Sequence, residues 1–102
     1  MKFATKGIYM TNSIRSDIHE GELSLAKVND CLKRHFHNDG DECREDKEYN
    51  RLAIEGKEGR VFSVFNLDNK KIYIITEGFH LAEDPEYGLT YPMTTILYQE
   101  EY

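Results

Sequence analysis

The sequence predicts an α+β fold, in which a three- to four-stranded antiparallel sheet carries two to three helices on one face. A β-meander is expected over residues 60–98, where two β-branched and aromatic runs flank the sequence Leu67-Asp68-Asn69-Lys70. Asp and Asn reverse a chain readily, so these four residues predict a hairpin turn. Residues 12–56 instead carry apolar side chains at helical spacing. Because helices and meander occupy separate parts of the chain, the predicted class is α+β.

The sheet is expected to contain four segments. Residues 7–11 predict a short edge strand, and residues 60–66 predict a strand with Val61, Ser63 and Phe65 on one face. Residues 71–77 are apolar on both faces around Ile74, which is typical of a central strand. Residues 91–98 supply the next antiparallel neighbour.

Three helices are expected between the first two strands. The first spans residues 14–19, after several residues that are competent N-caps. The second opens at Ser24, and the third runs over about residues 45–55 and stops at Gly56. The side chains expected to face the core are Leu25, Val28, Leu32 and Phe36 in the second helix and Tyr49, Leu52 and Ala53 in the third.

The 102 residues are enough for one domain spanning 1–102, with 78–92 as a loop insertion between two strands. No apolar run approaches the roughly 18 residues that a membrane span needs, and the first residues do not resemble a signal peptide. Cys31 and Cys43 are too few for a disulfide scaffold and fit reduced thiols. We therefore expect a cytoplasmic protein without a membrane partner.

The charge is unevenly distributed. The net charge is −6, and residues 72–102 hold six acids and six of the twelve aromatic residues but no Lys or Arg. Binding to phosphates needs Lys and Arg, so this composition argues against a direct nucleic-acid partner and favours a protein with a basic surface. The predicted partner-binding residues are Glu77, Phe79, Glu83, Asp84, Glu86, Tyr87, Tyr91, Glu100, Glu101 and Tyr102.

A second candidate site lies near the end of the second predicted helix. Cys31, His35, His37 and Cys43 are ligand types that zinc uses, although their spacing matches no standard zinc finger. His35 near the acidic loop 39–42 could instead form a carboxylate-oriented general base. The simpler interpretations are that Cys31 is a small core residue and that His35 complements the helix dipole. No catalytic residue, metal or cofactor is assigned.

Several short motifs resemble one family along nearly the whole chain. The motifs are Leu32-Lys33-Arg34-His35, the loop Asn38-Asp39-Gly40-Asp41, the residues Asn50, Ala53 and Gly56, and the segments Arg60-Val61-Phe62-Ser63, Ile72-Tyr73-Ile74-Ile75-Thr76-Glu77, Thr94-Thr95-Ile96-Leu97 and Glu100-Glu101-Tyr102. In this order they resemble the small "plasmid-related" proteins of bacterial plasmids and phages. The chain departs from that pattern at three places: the loop lacks the family's tryptophan, Tyr73 replaces a second one, and residues 78–93 are longer than the usual connection.

The resemblance implies a mobile-element origin and no established reaction. Short acidic proteins on such elements often counter host defence systems. Combined with the acidic, tyrosine-rich segment, it leads to one hypothesis: an accessory protein that inhibits a host defence nuclease, of anti-restriction or anti-CRISPR type, by covering a basic surface. The alternative is a small enzyme or zinc-binding protein that uses Cys31, His35, His37 and the loop 39–42. The sequence does not predict the oligomeric state.

Overall fold

A computed structural model describes residues 2–79 and 92–102. The described part contains three α-helices, four strands and one turn of 3-10 helix. In chain order they are β1 (Gly7–Met10), α1 (Asn12–His19), α2 (Leu25–Phe36), α3 (Arg44–Gly56), β2 (Arg60–Leu67), β3 (Lys70–Glu77), β4 (Met93–Tyr98) and the 3-10 turn Gln99–Glu101. The predicted α+β class is confirmed, and the predicted elements are present with ends displaced by one or two residues.

The sheet has the strand order β1-β4-β3-β2 and is mixed rather than wholly antiparallel. The β2–β3 and β3–β4 pairs are antiparallel, as expected, but β1 runs parallel to β4. A strictly antiparallel sheet was therefore the wrong expectation. The reason is connectivity: a parallel pair needs a long crossover connection, which the three helices and the hairpin supply between β1 and β4.

The hairpin confirms the turn predicted from Asp68 and Asn69. These residues have φ angles of +46° and +68°, and Leu67 pairs with Lys70 across the turn. Positive φ at both central residues defines a type I′ turn, whose twist matches that of the flanking strands. The turn sets the register of β2 against β3 and therefore decides which side chains meet on each face of the sheet.

The core lies on the sheet face that α1 and α2 cover. Alternation along the strands places Val61, Ser63 and Phe65 on this face, and all three are fully buried. The main cluster consists of Ile14, Leu23, Val28, Cys31, Phe65, Ile72, Ile74, Ile96 and Tyr98. Cys31 is 3% exposed, which confirms its interpretation as a small core residue.

The buried stripe of α2 differs from the predicted one at its start. Val28, Cys31 and His35 are buried, whereas Leu25 is 48% exposed. At about 100° per residue, Leu25 lies roughly 60–80° around the helix from Val28 and His35. The prediction used hydrophobicity alone and therefore passed over His35, which occupies a central position in the stripe.

The inward face of α3 was predicted correctly at Ala53 and wrongly at Tyr49 and Leu52. Tyr49 and Leu52 are 71% and 52% exposed, while Asn50 and Ala53 are buried. The physical reason is the position of α3 beside the edge strand β2, where the side chain of Asn50 bonds the backbone of Phe62. At an edge the buried position must satisfy backbone polar groups, which an amide does and a leucine does not.

Among residues 2–79 and 92–102, no helix is both long and apolar enough to cross a lipid bilayer.

Candidate functional site

Three aromatic rings form a cluster on the sheet face opposite α1 and α2. Phe62 of β2 and Tyr73 of β3 have ring centroids 4.6 Å apart, and Tyr102 lies 5.7 Å from Phe62 and 5.6 Å from Tyr73. Tyr102 meets the other two rings edge-to-face, at interplanar angles of 73° and 76°, which is an arrangement that aromatic quadrupoles prefer. The Phe62 and Tyr73 rings are tilted by 60° to each other. The Tyr102 ring is held by the other two while the residue remains 62% exposed.

The three rings line a groove of about 350 Å³ between the sheet and α3. Tyr49 and Asp46 of α3 contribute to the other wall, and Asn50 lies at its base. Arg60 extends over the rings, with its guanidinium carbon 5.4 Å from the centroid of Phe62 and 5.6 Å from that of Tyr102. The groove therefore combines exposed aromatic area, one cation and one carboxylate.

Some of the predicted partner-binding residues lie on this face. Tyr102 is part of the cluster, and Glu77 lies directly opposite Arg60 in the β2–β3 register, on the same face as Tyr73. Glu100 is exposed in the 3-10 turn. Glu101 accepts hydrogen bonds from the Tyr98 amide and the Thr11 hydroxyl, each at 2.9 Å, so it caps the end of β4.

The remaining predicted residues fall elsewhere. Phe79 is half-buried and packs edge-on against Phe3, with centroids 5.7 Å apart. The others lie outside the described residues, and they are Glu83, Asp84, Glu86, Tyr87 and Tyr91.

His35 lies in a buried hydrogen-bond network. Its Nδ1 is 2.6 Å from the Ser63 hydroxyl and its Nε2 is 2.7 Å from the Thr76 hydroxyl. The network continues from Thr76 to Thr94 at 2.7 Å and from Thr94 to Thr5 at 2.8 Å, so it crosses three strands. His35 is 0% exposed, and burial lowers its pKa to about 3. Its explanation as a cation at the helix dipole is therefore wrong.

The general-base interpretation of His35 also lacks support. Both ring nitrogens are occupied by hydroxyl groups, and no part of the side chain is exposed to a substrate. A general base must reach the proton that it abstracts and titrate near the working pH, and His35 does neither.

The acidic loop protects the outer edge of β2. The Asp41 amide donates to the Val64 carbonyl at 2.7 Å, and the Asp41 carboxylate accepts from the Asn66 amide at 3.0 Å. Glu42 accepts from the Val64 amide at 3.2 Å. The Asn66 amide, and then the Arg34 guanidinium at 2.9 Å, lower the pKa of the Asp41 carboxyl. These carboxylates serve the backbone of an edge strand, and so they are not arranged around His35.

The proposed zinc ligands do not converge. Within residues 2–79 and 92–102, no group of three or more His, Cys, Asp or Glu side chains could hold a metal ion. Cys31 is buried in the core, where burial raises the pKa of its thiol, while Cys43 is exposed before the first turn of α3. A zinc site needs deprotonated ligands at a common distance from one point.

A polar cleft of about 430 Å³ lies at the hairpin end of the sheet. There the Tyr98 hydroxyl donates to Asp17 at 2.5 Å, and the Lys70 amine donates to the same oxygen at 3.1 Å. Burial, followed by the bond to Asp17, raises the pKa of Tyr98 to about 12, while the bond to Asp17 raises the pKa of Lys70. Neither group is prepared to act as a base near neutral pH, so this trio joins α1 to the sheet.

The sequence did not predict two groups of side chains that the fold assembles from distant segments: the aromatic cluster and the buried hydrogen-bond network of His35. The pairing of Phe62 with Tyr73 depends on register, and the addition of Tyr102 depends on how the chain turns after β4. A usable signal existed for the buried network: alternation placed the hydroxyl of Ser63 on the inward face, where a buried polar group needs a partner. The inward position of His35 supplies that partner.

No protein-family model, curated protein or solved structure matches the chain.

Proposed function

We propose that this chain is a small accessory protein of a phage or plasmid that acts by binding a protein with a basic surface. The proposed target class is a host defence nuclease, of a restriction or RNA-guided type, whose nucleic-acid-binding surface would be covered. The observation that supports the proposal best is the surface cluster of Phe62, Tyr73 and Tyr102, in which Tyr102 is exposed and the other two residues are half-buried. Aromatic residues at the centre of an interface supply most of its binding energy.

The surrounding charge favours a basic partner. Glu77 lies on the same sheet face, Asp46 lines the groove, and two acids precede Tyr102. A chain with a net charge of −6 and no Lys or Arg after Lys71 attracts a cationic surface at long range. Carboxylates at the rim raise the association rate, while desolvated rings slow dissociation.

The proposal is tested by quantitative capture from a bacterial host lysate, followed by binding kinetics with the captured protein. We expect Tyr102→Ala and Tyr73→Ala to speed dissociation by roughly ten-fold or more, as for truncated anchor residues. Tyr9→Ala is the matched control, because Tyr9 is 49% exposed on the edge strand β1 and does not line the groove.

Charge-reversal variants distinguish the effect of the carboxylates on the association rate from the effect of the aromatic rings on the dissociation rate. Glu77→Lys with Glu100→Lys should slow association most at low salt, since exposed charges are screened over about 10 Å at 0.1 M. The same test applies to Glu83→Lys, Asp84→Lys and Glu86→Lys together. Unchanged kinetics in the Tyr73, Tyr102 and charge-reversal variants would refute the proposed surface, and failure of the captured protein to lose nuclease activity would refute the proposed target.

A further inference from the structure

The three rings of the groove are arranged as walls of a cage and not as a stack. Phe62, Tyr73 and Tyr102 are each inclined to the other two by 60–76°, with all centroid separations below 6 Å. All three rings line the groove, and the faces of Phe62 and Tyr102 are open to a cation, because the Arg60 guanidinium lies over both. A π face carries partial negative charge, so several faces around one space attract a cation.

A cation of the chain itself already lies against this cage. The Arg60 guanidinium carbon is 5.4 Å from the Phe62 centroid and 5.6 Å from the Tyr102 centroid, within the roughly 6 Å range of a cation–π contact. Arg60 is the first residue of β2 and is exposed. The rings therefore accept a guanidinium group. The group that now lies against them belongs to Arg60, whose long side chain is exposed and can turn towards solvent.

The charges around the cage select the sign of a ligand. Asp46 lines the same groove, and Glu77 lies opposite Arg60 across the β2–β3 pair. An anionic ligand would meet two carboxylates and the single cation Arg60. A cationic side chain that takes the place of Arg60 would meet the π faces and both carboxylates. Charge complementarity therefore favours a cation over an anion or a neutral apolar group.

We infer that the groove between β2, β3 and α3 binds a single arginine or lysine side chain of a protein partner, and that Arg60 occupies the cage until that side chain replaces it. This inference rests on the proposed function and adds the chemical group that the partner supplies. It assigns Tyr73 and Tyr102 as walls of the cage, Asp46 as the carboxylate that meets the incoming charge, and Arg60 as an internal competitor.

The inference is tested without the partner, by NMR titration of the intact protein with blocked tripeptides. The first probe is acetyl-glycine-arginine-glycine-amide, and the second contains citrulline, which has nearly the same shape as arginine but no charge. A third contains glutamate. We expect the arginine probe to shift the ring resonances of Phe62, Tyr73 and Tyr102, with weaker or no shifts from citrulline and none from glutamate.

Variants assign the roles. Tyr102→Leu keeps an apolar side chain but removes a π face, and it should weaken binding of the arginine probe roughly two- to five-fold, the contribution of an exposed cation–π contact. Asp46→Asn should weaken it by a similar factor. Arg60→Gln should strengthen it, because the probe no longer displaces a resident guanidinium. Tyr9→Leu, outside the groove, should leave it unchanged.

Three outcomes would overturn the inference: equal shifts from arginine and citrulline, preferred binding of the glutamate probe, or weaker arginine binding in Arg60→Gln. These results are independent of the proposed function. A partner whose capture depends on Tyr73 and Tyr102, combined with no discrimination between arginine and citrulline, would retain the interaction surface and reject the cage. Arginine binding without any such partner would retain the cage and reject the proposed function.

Discussion

Nδ1 of His35 lies 2.6 Å from Oγ of Ser63, and the direction of this hydrogen bond is fixed by backbone carbonyls at the far end of the network. The Thr5 hydroxyl has one proton, and its neighbours at 2.9 and 3.0 Å include the carbonyls of Gly7 and Pro92, which can only accept. Thr5 therefore accepts from Thr94. Each hydroxyl then donates onward in turn, from Thr76 to Thr94, so Nε2–H of His35 donates to Thr76 and Nδ1 accepts from Ser63.

This sequence of donors predicts one tautomer for His35. The ring should be neutral and carry its proton on Nε2. In the opposite tautomer an unprotonated Nε2 would face the Thr76 oxygen, whose single proton is already donated to Thr94, so this buried contact would have no proton. Long-range ¹H–¹⁵N NMR correlations distinguish the tautomers of neutral imidazole. A proton on Nδ1, or an even mixture of both forms at neutral pH, would show that the network does not run in the direction deduced.

Burial of His35 makes the stability of the protein depend on pH. Its pKa is about 3 in the fold and about 6.5 in an unfolded chain, so between these values the unfolded state binds a proton that the folded state does not. The contribution is complete above about pH 6.5 and is lost as pH falls towards 3, with a slope of up to about 1.4 kcal/mol per pH unit.

Urea unfolding at a series of pH values measures this slope. The carboxyls of Asp17, Asp41 and Glu48 have lowered pKa values and act in the same direction, but only near and below their ordinary values of 3.8–4.5. Data above about pH 5 therefore isolate histidine. His35→Gln should have a lower free energy of unfolding at neutral pH and a flatter pH dependence. Equal slopes for the two proteins would contradict the buried, neutral state.

Two neighbouring threonines of β4 form a matched test of the network. Thr94 is fully buried and bonded to Thr76 and Thr5, whereas Thr95 points to the opposite face of the same strand. Thr94→Val should lower the free energy of unfolding by about 1–3 kcal/mol, because the Thr76 hydroxyl loses its acceptor in a buried site. Thr95→Val should change it by less than about 0.5 kcal/mol. Because valine keeps the shape of threonine, similar losses in both variants would mean that the hydrogen bonds of Thr94 do not contribute to stability.

The sequence predicts where the helices and strands lie better than it predicts which helix faces are buried. Alternation and turn chemistry place β2 and β3 correctly because the signal is local: the positive φ angles of Asp68 and Asn69 suit those residue types. The inward faces of α2 and α3 depend on tertiary contacts. His35 and Asn50 are buried because each forms hydrogen bonds with polar groups of β2, and hydrophobic periodicity carries no information about such partners.

The candidate groove could not be predicted from the sequence either, because it also depends on tertiary contacts. Phe62 and Tyr73 are separated by the hairpin and meet through register, and Tyr102 joins them after the chain has crossed to β4. The aromatic and acidic composition of residues 72–102 predicts that this part of the chain contributes to a binding surface. It does not indicate that Phe62 and Arg60, which precede it, complete the surface.

The final prediction concerns the edge of β2, where side chains take the place of a neighbouring strand. Asn50 accepts from the Phe62 amide at 2.9 Å and donates to the Phe62 carbonyl at 2.8 Å, and Glu42 accepts from the Val64 amide. Removing Asn50 and Glu42 together by alanine substitution exposes these backbone groups along an apolar strand. An unpaired edge of this kind is a template for pairing with another chain.

We therefore expect the Asn50→Ala, Glu42→Ala double variant to self-associate at concentrations where the parent protein does not, as measured by sedimentation velocity. Glu45→Ala is the control, since it removes the same single negative charge from the exposed side of α3 and leaves the edge protected. Circular dichroism establishes that the sheet is retained before the comparison is made. A folded double variant that sediments like the Glu45→Ala control would show that the side-chain hydrogen bonds to β2 are not what prevents association at this edge.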